Sequence, residues 1–210
     1  MDFFLQNWNN PAVSDPQWPG VWHRFVIGDA EFFMLDGRNY RTNPFASSPT
    51  MLGPVQKRWL LSALRASRAT FKVIASPVNW VIGSKEGSHD TWQGFPEERR
   101  EIFEFLADHR IEGVFLLSSD RHRSDVWINQ RSKAYALTEF GSGYLTNVHT
   151  HDTAPDALFS YNAKNNFGLL HFDTTLPDPV VTCEYRTLDG ETVYSLKLRL
   201  SELRHASPTK

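Results

Sequence analysis

A carboxylate and an imidazole stand two residues apart in the middle of this chain, Asp120 and His122, within Leu117-Ser118-Ser119-Asp120-Arg121-His122-Arg123-Ser124. Oxygen and nitrogen donors together suit iron, zinc or manganese. In an extended backbone residues i and i+2 face the same way, so this spacing predicts that both side chains converge on one metal centre. The competing reading is a solvated ion pair or a capped turn. Position favours chemistry, because the pair follows Gly113-Val114-Phe115-Leu116-Leu117, an apolar run of the kind that forms interior strands covered on both faces.

A second stretch, Leu35-Asp36-Gly37-Arg38-Asn39-Tyr40-Arg41, closes another strand-like run. Arg38 and Arg41 can each present a planar fork of donors to a phosphate, or can make structural salt bridges, for instance with Asp36. Trp80 and Trp92 fall in a long connection, where aromatic rings either wall a substrate pocket or pack the loop. His149-Thr150-His151-Asp152 carries metal-capable side chains, but it lies in a polar loop and is expected to be solvated. Cys183 alternates with Val181 and Tyr185 along a strand, which predicts a structural thiol and not a nucleophile.

The elements that must position these residues follow from periodicity and punctuation. Val21–Ile27 and Glu31–Leu35 flank Gly28-Asp29 and predict a hairpin. Val55, Trp59, Leu60, Ala63 and Leu64 recur at helical spacing over Pro54–Arg65, and a second helix is predicted over Pro96–Asp108; proline suits both starts because its missing N–H is not needed there. Ala69–Ala75 and Gly113–Leu117 predict strands. The alternation βαβαβ predicts parallel crossovers that bring Leu35-Asp36, Ala75-Ser76 and Leu117-Ser118 to one sheet edge. Beyond Ser124, strands over 134–140, 167–172, 180–186 and 192–200, the last two joined at Asp189-Gly190, predict an antiparallel half. His149–Asn166 reads as a mobile loop, 1–20 as an irregular surface segment and 201–210 as a flexible tail of a single domain.

Composition excludes several classes. With a formal charge of -2 and a sequence pI near 6.4, there is no basic field for a nucleic-acid backbone. Cys183 is the single cysteine, so no intrachain disulfide forms. No apolar run approaches the ~20 residues of a membrane span, and Met1–Asn10 lacks the basic start and apolar run of a signal peptide, which leaves the compartment open.

Taken together, five stretches in one order resemble the PhoD-like phosphatase family. They are Leu35-Asp36-Gly37-Arg38-Asn39-Tyr40-Arg41, Leu52-Gly53-Pro54-Val55-Gln56-Lys57-Arg58-Trp59-Leu60, Ser76-Pro77-Val78-Asn79-Trp80, Asp90-Thr91-Trp92-Gln93-Gly94-Phe95 with Glu98-Arg99, and Leu117 to His122. Asn166-Phe167-Gly168 and the closing hairpin fit more loosely. The resemblance implies an α/β fold, a metallophosphoesterase-like β-sandwich flanked by helices and present here as its C-terminal half. It also implies hydrolysis of phosphomonoesters or phosphodiesters at a multinuclear centre of iron with calcium. On that reading Asp120 and His122 are metal ligands and act in catalysis with Arg38. Arg38, Arg41, Arg121 and Arg123 take phosphate charge, beside Trp80 and Trp92.

Two departures from the family pattern set further expectations. Ser119 stands where the family has glycine, which predicts strain if the backbone there has a positive φ. The family's upstream half, with further acidic, Asn and His ligands, has no match in this sequence. The alternative is therefore an N-terminally truncated, catalytically incomplete homologue acting as a binding or assembly surface, or a site completed by an upstream domain or chain. A missing layer predicts exposed apolar sheet surface.

Overall fold

The computed structural model describes residues 6–9, 17–132, 134–146 and 148–206, so most of the segment 1–20 lies outside the described residues. Strands β1 (His23–Ile27) and β2 (Ala30–Met34) form the predicted hairpin, with Gly28 at φ +56° in its turn, a value that glycine adopts without a Cβ penalty. Helix α1 (Gly53–Ala66) leads to β3 (Phe71–Ala75), and α2 (Pro96–Asp108) leads to β4 (Val114–Ser118). Strands β2, β3 and β4 run parallel, as the crossovers require.

Period-2 alternation along these strands explains the layering. Ile74, Val114, Leu116 and Leu137 point to one face and pack with Leu60, Leu64, Ile102 and Leu106 of the two helices. Phe71, Val73, Phe115 and Phe140 point to the other face, against Val181, Cys183, Tyr185 and Leu198 of a second sheet. The result is three layers: helices, a seven-stranded sheet in the order β1-β2-β3-β4-β6-β5-β7, and a three-stranded sheet in the order β10-β9-β8. The remaining strands are β5 (Ser124–Asn129), β6 (Leu137–Ser142), β7 (Phe159–Tyr161), β8 (Asn166–Asp173), β9 (Val180–Thr187) and β10 (Thr192–Arg199).

Several expectations are corrected. The half after Ser124 is not wholly antiparallel, because β6 pairs parallel with β4 and only its other edge meets β5 antiparallel. Strand β5 goes unread in the sequence because Ser124, Asp125 and Asn129 are polar, yet all three are buried. The segment His149–Asn166 is no featureless loop, since it carries β7, which pairs with β5. Residues 201–206 are not a loose tail: Leu200–Leu203 form a 3₁₀ turn, Leu203 is buried, and its carbonyl accepts from Gly113 N. The chain's own layers cover both faces of the central strands of the large sheet, and Thr182, Glu184 and Arg186 alternate outward along β9. Apolar exposure on the large sheet falls at its edge strand β1, where Phe25, Val26 and Ile27 are exposed. No helix among them is long and apolar enough to cross a membrane. Burial pushes the Cys183 thiol up to about 12, as befits a structural sulfur.

Candidate metal centre

The parallel strands deliver their C-terminal ends to one edge: Leu35 N bonds Ala75 O at 2.9 Å and Ser76 N bonds Leu117 O at 3.0 Å. The loops past that edge are built by buried carboxylates and amides. Asp36 accepts from the backbone N–H groups of Val21, Arg38 and Asn39 at 3.0–3.1 Å. The Gln56 amide of α1 clamps both the N–H and the C=O of Asp36 at 2.8 Å. Glu98, met in the sequence as part of the Glu98-Arg99 element, accepts from Thr50 Oγ1, Met51 N and Leu52 N. Glu139 of β6 gathers Asn79, Ser118, Asn129 and the N–H groups of Trp80 and Val81. These groups shape the rim.

Trp80 and Trp92 do not wall a pocket. Both are fully buried and stack at 4.2 Å with an interplanar angle of 7°, and Trp92 Nε1 donates to Ser76 Oγ at 3.0 Å. Their large apolar area is worth more inside the helix-side core than at a wet rim. Arg38 and Arg41 do form salt bridges, although with Asp90 and not with Asp36. Arg38 Nη1 lies 3.0 Å from Asp90 Oδ1, which also accepts from Arg41. Partial burial works against ionisation of Asp90, but the hydrogen bonds from Arg41 and Arg38 outweigh it and hold its carboxyl below the usual range. Lys85 continues the chain of charge, 3.7 Å from Asp90 and 3.9 Å from Asp120.

Asp120 and His122 line the same shallow recess of about 370 Å³, with Ser119, Ser142, Gly143, Leu145 and Thr146. The predicted extended geometry is absent, however: φ is +75° at Asp120 and +48° at His122, so the two residues sit in a tight left-handed turn. Asp and His tolerate that region better than most residues do, which is why the turn is affordable. Ser119 itself is not among the residues of positive φ, so its hydroxymethyl group replaces glycine without backbone strain. The close approach falls instead at Gly143, where a Cβ would meet Ser119 Oγ at 3.1 Å and Asp120 N at 3.2 Å.

The turn places His122 beside His149 and His151. One ligand atom from each of these three imidazoles lies within 4.8 Å of the others, and they are the one such metal-capable group among the described residues. Ring centroids are 4.9–5.5 Å apart. The connection between β6 and β7, set aside as solvated in the sequence, is tied down to make this possible. Thr150 Oγ1 donates to the His122 carbonyl at 2.8 Å, Asn162 Nδ2 to the His151 carbonyl at 2.9 Å and Arg123 Nη1 to the Asp152 carbonyl at 2.7 Å. The His-Thr-His spacing was the available signal, but nothing local shows which distant residue its two rings meet.

Arg123 is thus a brace and not a phosphate ligand: its Nε contacts both oxygens of buried Asp125, and the side chain is 4% exposed. Arg121 differs. It is 8% exposed, and its Nε and Nη1 are buried without a hydrogen-bond partner among the described residues. Burial, then the positive Arg123 nearby, lowers its pKa. His151 is lowered too, first by burial and then by Arg121, His149 and His122, which favours the neutral, ligating imidazole. Three nitrogens fit a borderline transition ion; Asp120 is the carboxylate lining the recess, where calcium in general takes six to eight oxygens.

A parallel-stranded α/β core with a second sheet packed on it, and with imidazole and carboxylate groups at the carboxyl ends of its strands, is the arrangement in which α/β proteins bind ligands. The model of the PhoD-like phosphatases matches residues 9–171, and the chain belongs to the PhoD-like phosphatase family. It is 29% identical over 124 residues to alkaline phosphatase D of Bacillus subtilis (strain 168), an alignment that takes in 50% of this chain and 21% of that protein. Among solved structures, PhoD superposes with a TM-score of 0.74 at 20% identity, over 99% of this chain and 48% of PhoD. GAP50, the anchor in the inner membrane complex of Plasmodium, superposes with a TM-score of 0.54 at 13% identity, over 87% of this chain and 56% of that one. Both superpositions show the fold. The chain spans about half the length of the PhoD structure and about a fifth of the Bacillus protein.

Proposed function

We propose that this chain carries the downstream part of a metal-dependent phosphate-ester hydrolase. The observation that supports it most is the meeting of Asp120 and His122 at one recess on the carboxyl edge of the parallel strands, joined through Lys85 and Asp90 to Arg38. His122 offers nitrogen to a first-row transition ion. Asp120 offers oxygen to a second, calcium-like ion, and the remaining oxygen donors come from a segment or chain outside this one. Ions bound there would polarise phosphoryl oxygens and lower the pKa of a bound water.

The protein's own groups supply charge and position. Arg38, with 56% of its side chain exposed, presents its planar guanidinium to a phosphate, while Arg41 is mostly buried and holds Asp90 in place. Arg121, with its two unpaired nitrogens, is the second group suited to an oxyanion.

A second reading rests on the donor count: one carboxylate and three imidazoles are fewer ligands than two ions want, so the chain alone binds metal and phosphate without turning ester over. Turnover of a chromogenic phosphate ester by the dialysed chain, with iron and calcium added, separates the two. Chelator-sensitive turnover that falls on the order of 100-fold or more in Asp120→Asn supports hydrolysis. Retained metal with no turnover supports the second reading, and a chain that neither holds metal nor turns over ester overturns both.

A further inference from the structure

We propose that His122, His149 and His151 form a three-nitrogen site for a single divalent ion of the zinc and cobalt class, with its remaining coordination open to an oxyanion. This deepens the hydrolase reading and rests on it only for the use to which the ion is put; binding of the ion stands on the geometry.

His149 is exposed and His122 and His151 are half-buried, but the backbone that carries the three rings is tied down. Its two downstream ligands flank Thr150, and the Thr150 hydroxyl is bonded to the backbone carbonyl of the third ligand, His122. The loop is held again on its far side, where Arg123 takes the Asp152 carbonyl and Asn162 takes that of His151. Arg123 is in turn fixed by Asp125, whose Oδ1 also accepts from Ser160 Oγ of β7 at 2.6 Å. Strands β5 and β7 therefore share in setting the ligand positions. Tetrahedral coordination at ~2.0–2.1 Å puts nitrogens roughly 3.3 Å apart. Ligand atoms already within 4.8 Å reach that spacing by small side-chain rotations.

The donor set also selects the ion. No carboxylate belongs to the cluster, and Asp120 faces Lys85 instead, so the hard, oxygen-seeking cations find no cage here. Charge points to an anion as the further ligand. Arg121 is the chain neighbour of the ligand His122, and two of its buried nitrogens have no hydrogen-bond partner among the described residues. An oxyanion shared by the ion and Arg121 would satisfy both.

The test uses the metal-stripped full chain titrated with cobalt(II) alone, read by its visible absorption and by calorimetry. One equivalent is expected to bind, and His149→Ala and His151→Ala are each expected to weaken binding on the order of 100-fold. His171→Ala, at an exposed imidazole beside Glu184 on the second sheet, is the control that should leave it unchanged. Asp120→Asn is expected to retain cobalt affinity while lowering ester turnover. Inorganic phosphate should shift the cobalt spectrum of the native chain, and much less that of Arg121→Ala. Cobalt binding that survives both His149→Ala and His151→Ala overturns the site, whatever the turnover. Intact three-histidine binding beside a chain that never hydrolyses ester overturns the hydrolase reading and leaves the site standing.

Discussion

Glu139 and Asp120 are carboxylates that serve the same sheet edge, and their surroundings could hardly differ more. Glu139 is fully buried and accepts from three side chains and two backbone N–H groups, latching the 76–81 loop onto β6. Asp120 has a third of its side chain exposed and meets one ammonium group at 3.9 Å. A carboxylate whose lone pairs are all used by the fold builds the rim; one held in a turn with capacity to spare is available to a ligand. Asp36 and Glu98 belong with Glu139. So do Gln56, Ser76, Trp80 and Trp92, and the motifs that mark the family are in large part the residues that build its scaffold.

The contrast can be broken most directly at Glu139. Glu139→Ala strands several buried donors at once and should cost about 3–5 kcal/mol of stability in chemical unfolding. A loss within 1 kcal/mol, on the order of an ordinary surface change, would mean that the latch is not needed.

A smaller effect is expected at Asp90, which stands between the two kinds of carboxylate. Its pKa is lowered in the folded chain, so its ionised form adds stability that is present above the unfolded value of about 3.9 and fades as pH falls through the folded value. Because the group is partly exposed, that contribution should be under about 1 kcal/mol. Thermal unfolding of the native chain and Asp90→Asn should differ near neutral pH and draw together as the pH falls below the unfolded value; a gap that does not narrow over that range contradicts the pairing.

The smallest change in stability belongs to Asp120. Asp120→Asn should shift the unfolding free energy by no more than about 0.5 kcal/mol. A large loss would move Asp120 into the builder class and take the functional reading with it.

Much of the scaffold was legible because its signals are local. Pro54 and Pro96 open helices, Gly28 turns a hairpin, and the apolar runs at 71–75 and 114–118 can only be interior strands. The strands hidden from view, β5 and β7, are those whose polar residues find partners far along the chain, such as Ser124 with Asn166 and Ser160 with Asp125.

By itself, then, the sequence determined the βαβ order, the helix boundaries and the family, since periodicity, turn chemistry and motif spacing are read within a few residues of each other. Packing alone decided that Trp80 and Trp92 go inward, that Arg38 and Arg41 turn to Asp90, and that His122 meets His149 and His151. Such meetings depend on how the β6–β7 connection lies over a left-handed turn, which no local rule encodes, because the energy that brings the rings together resides in contacts between segments that are remote in the chain.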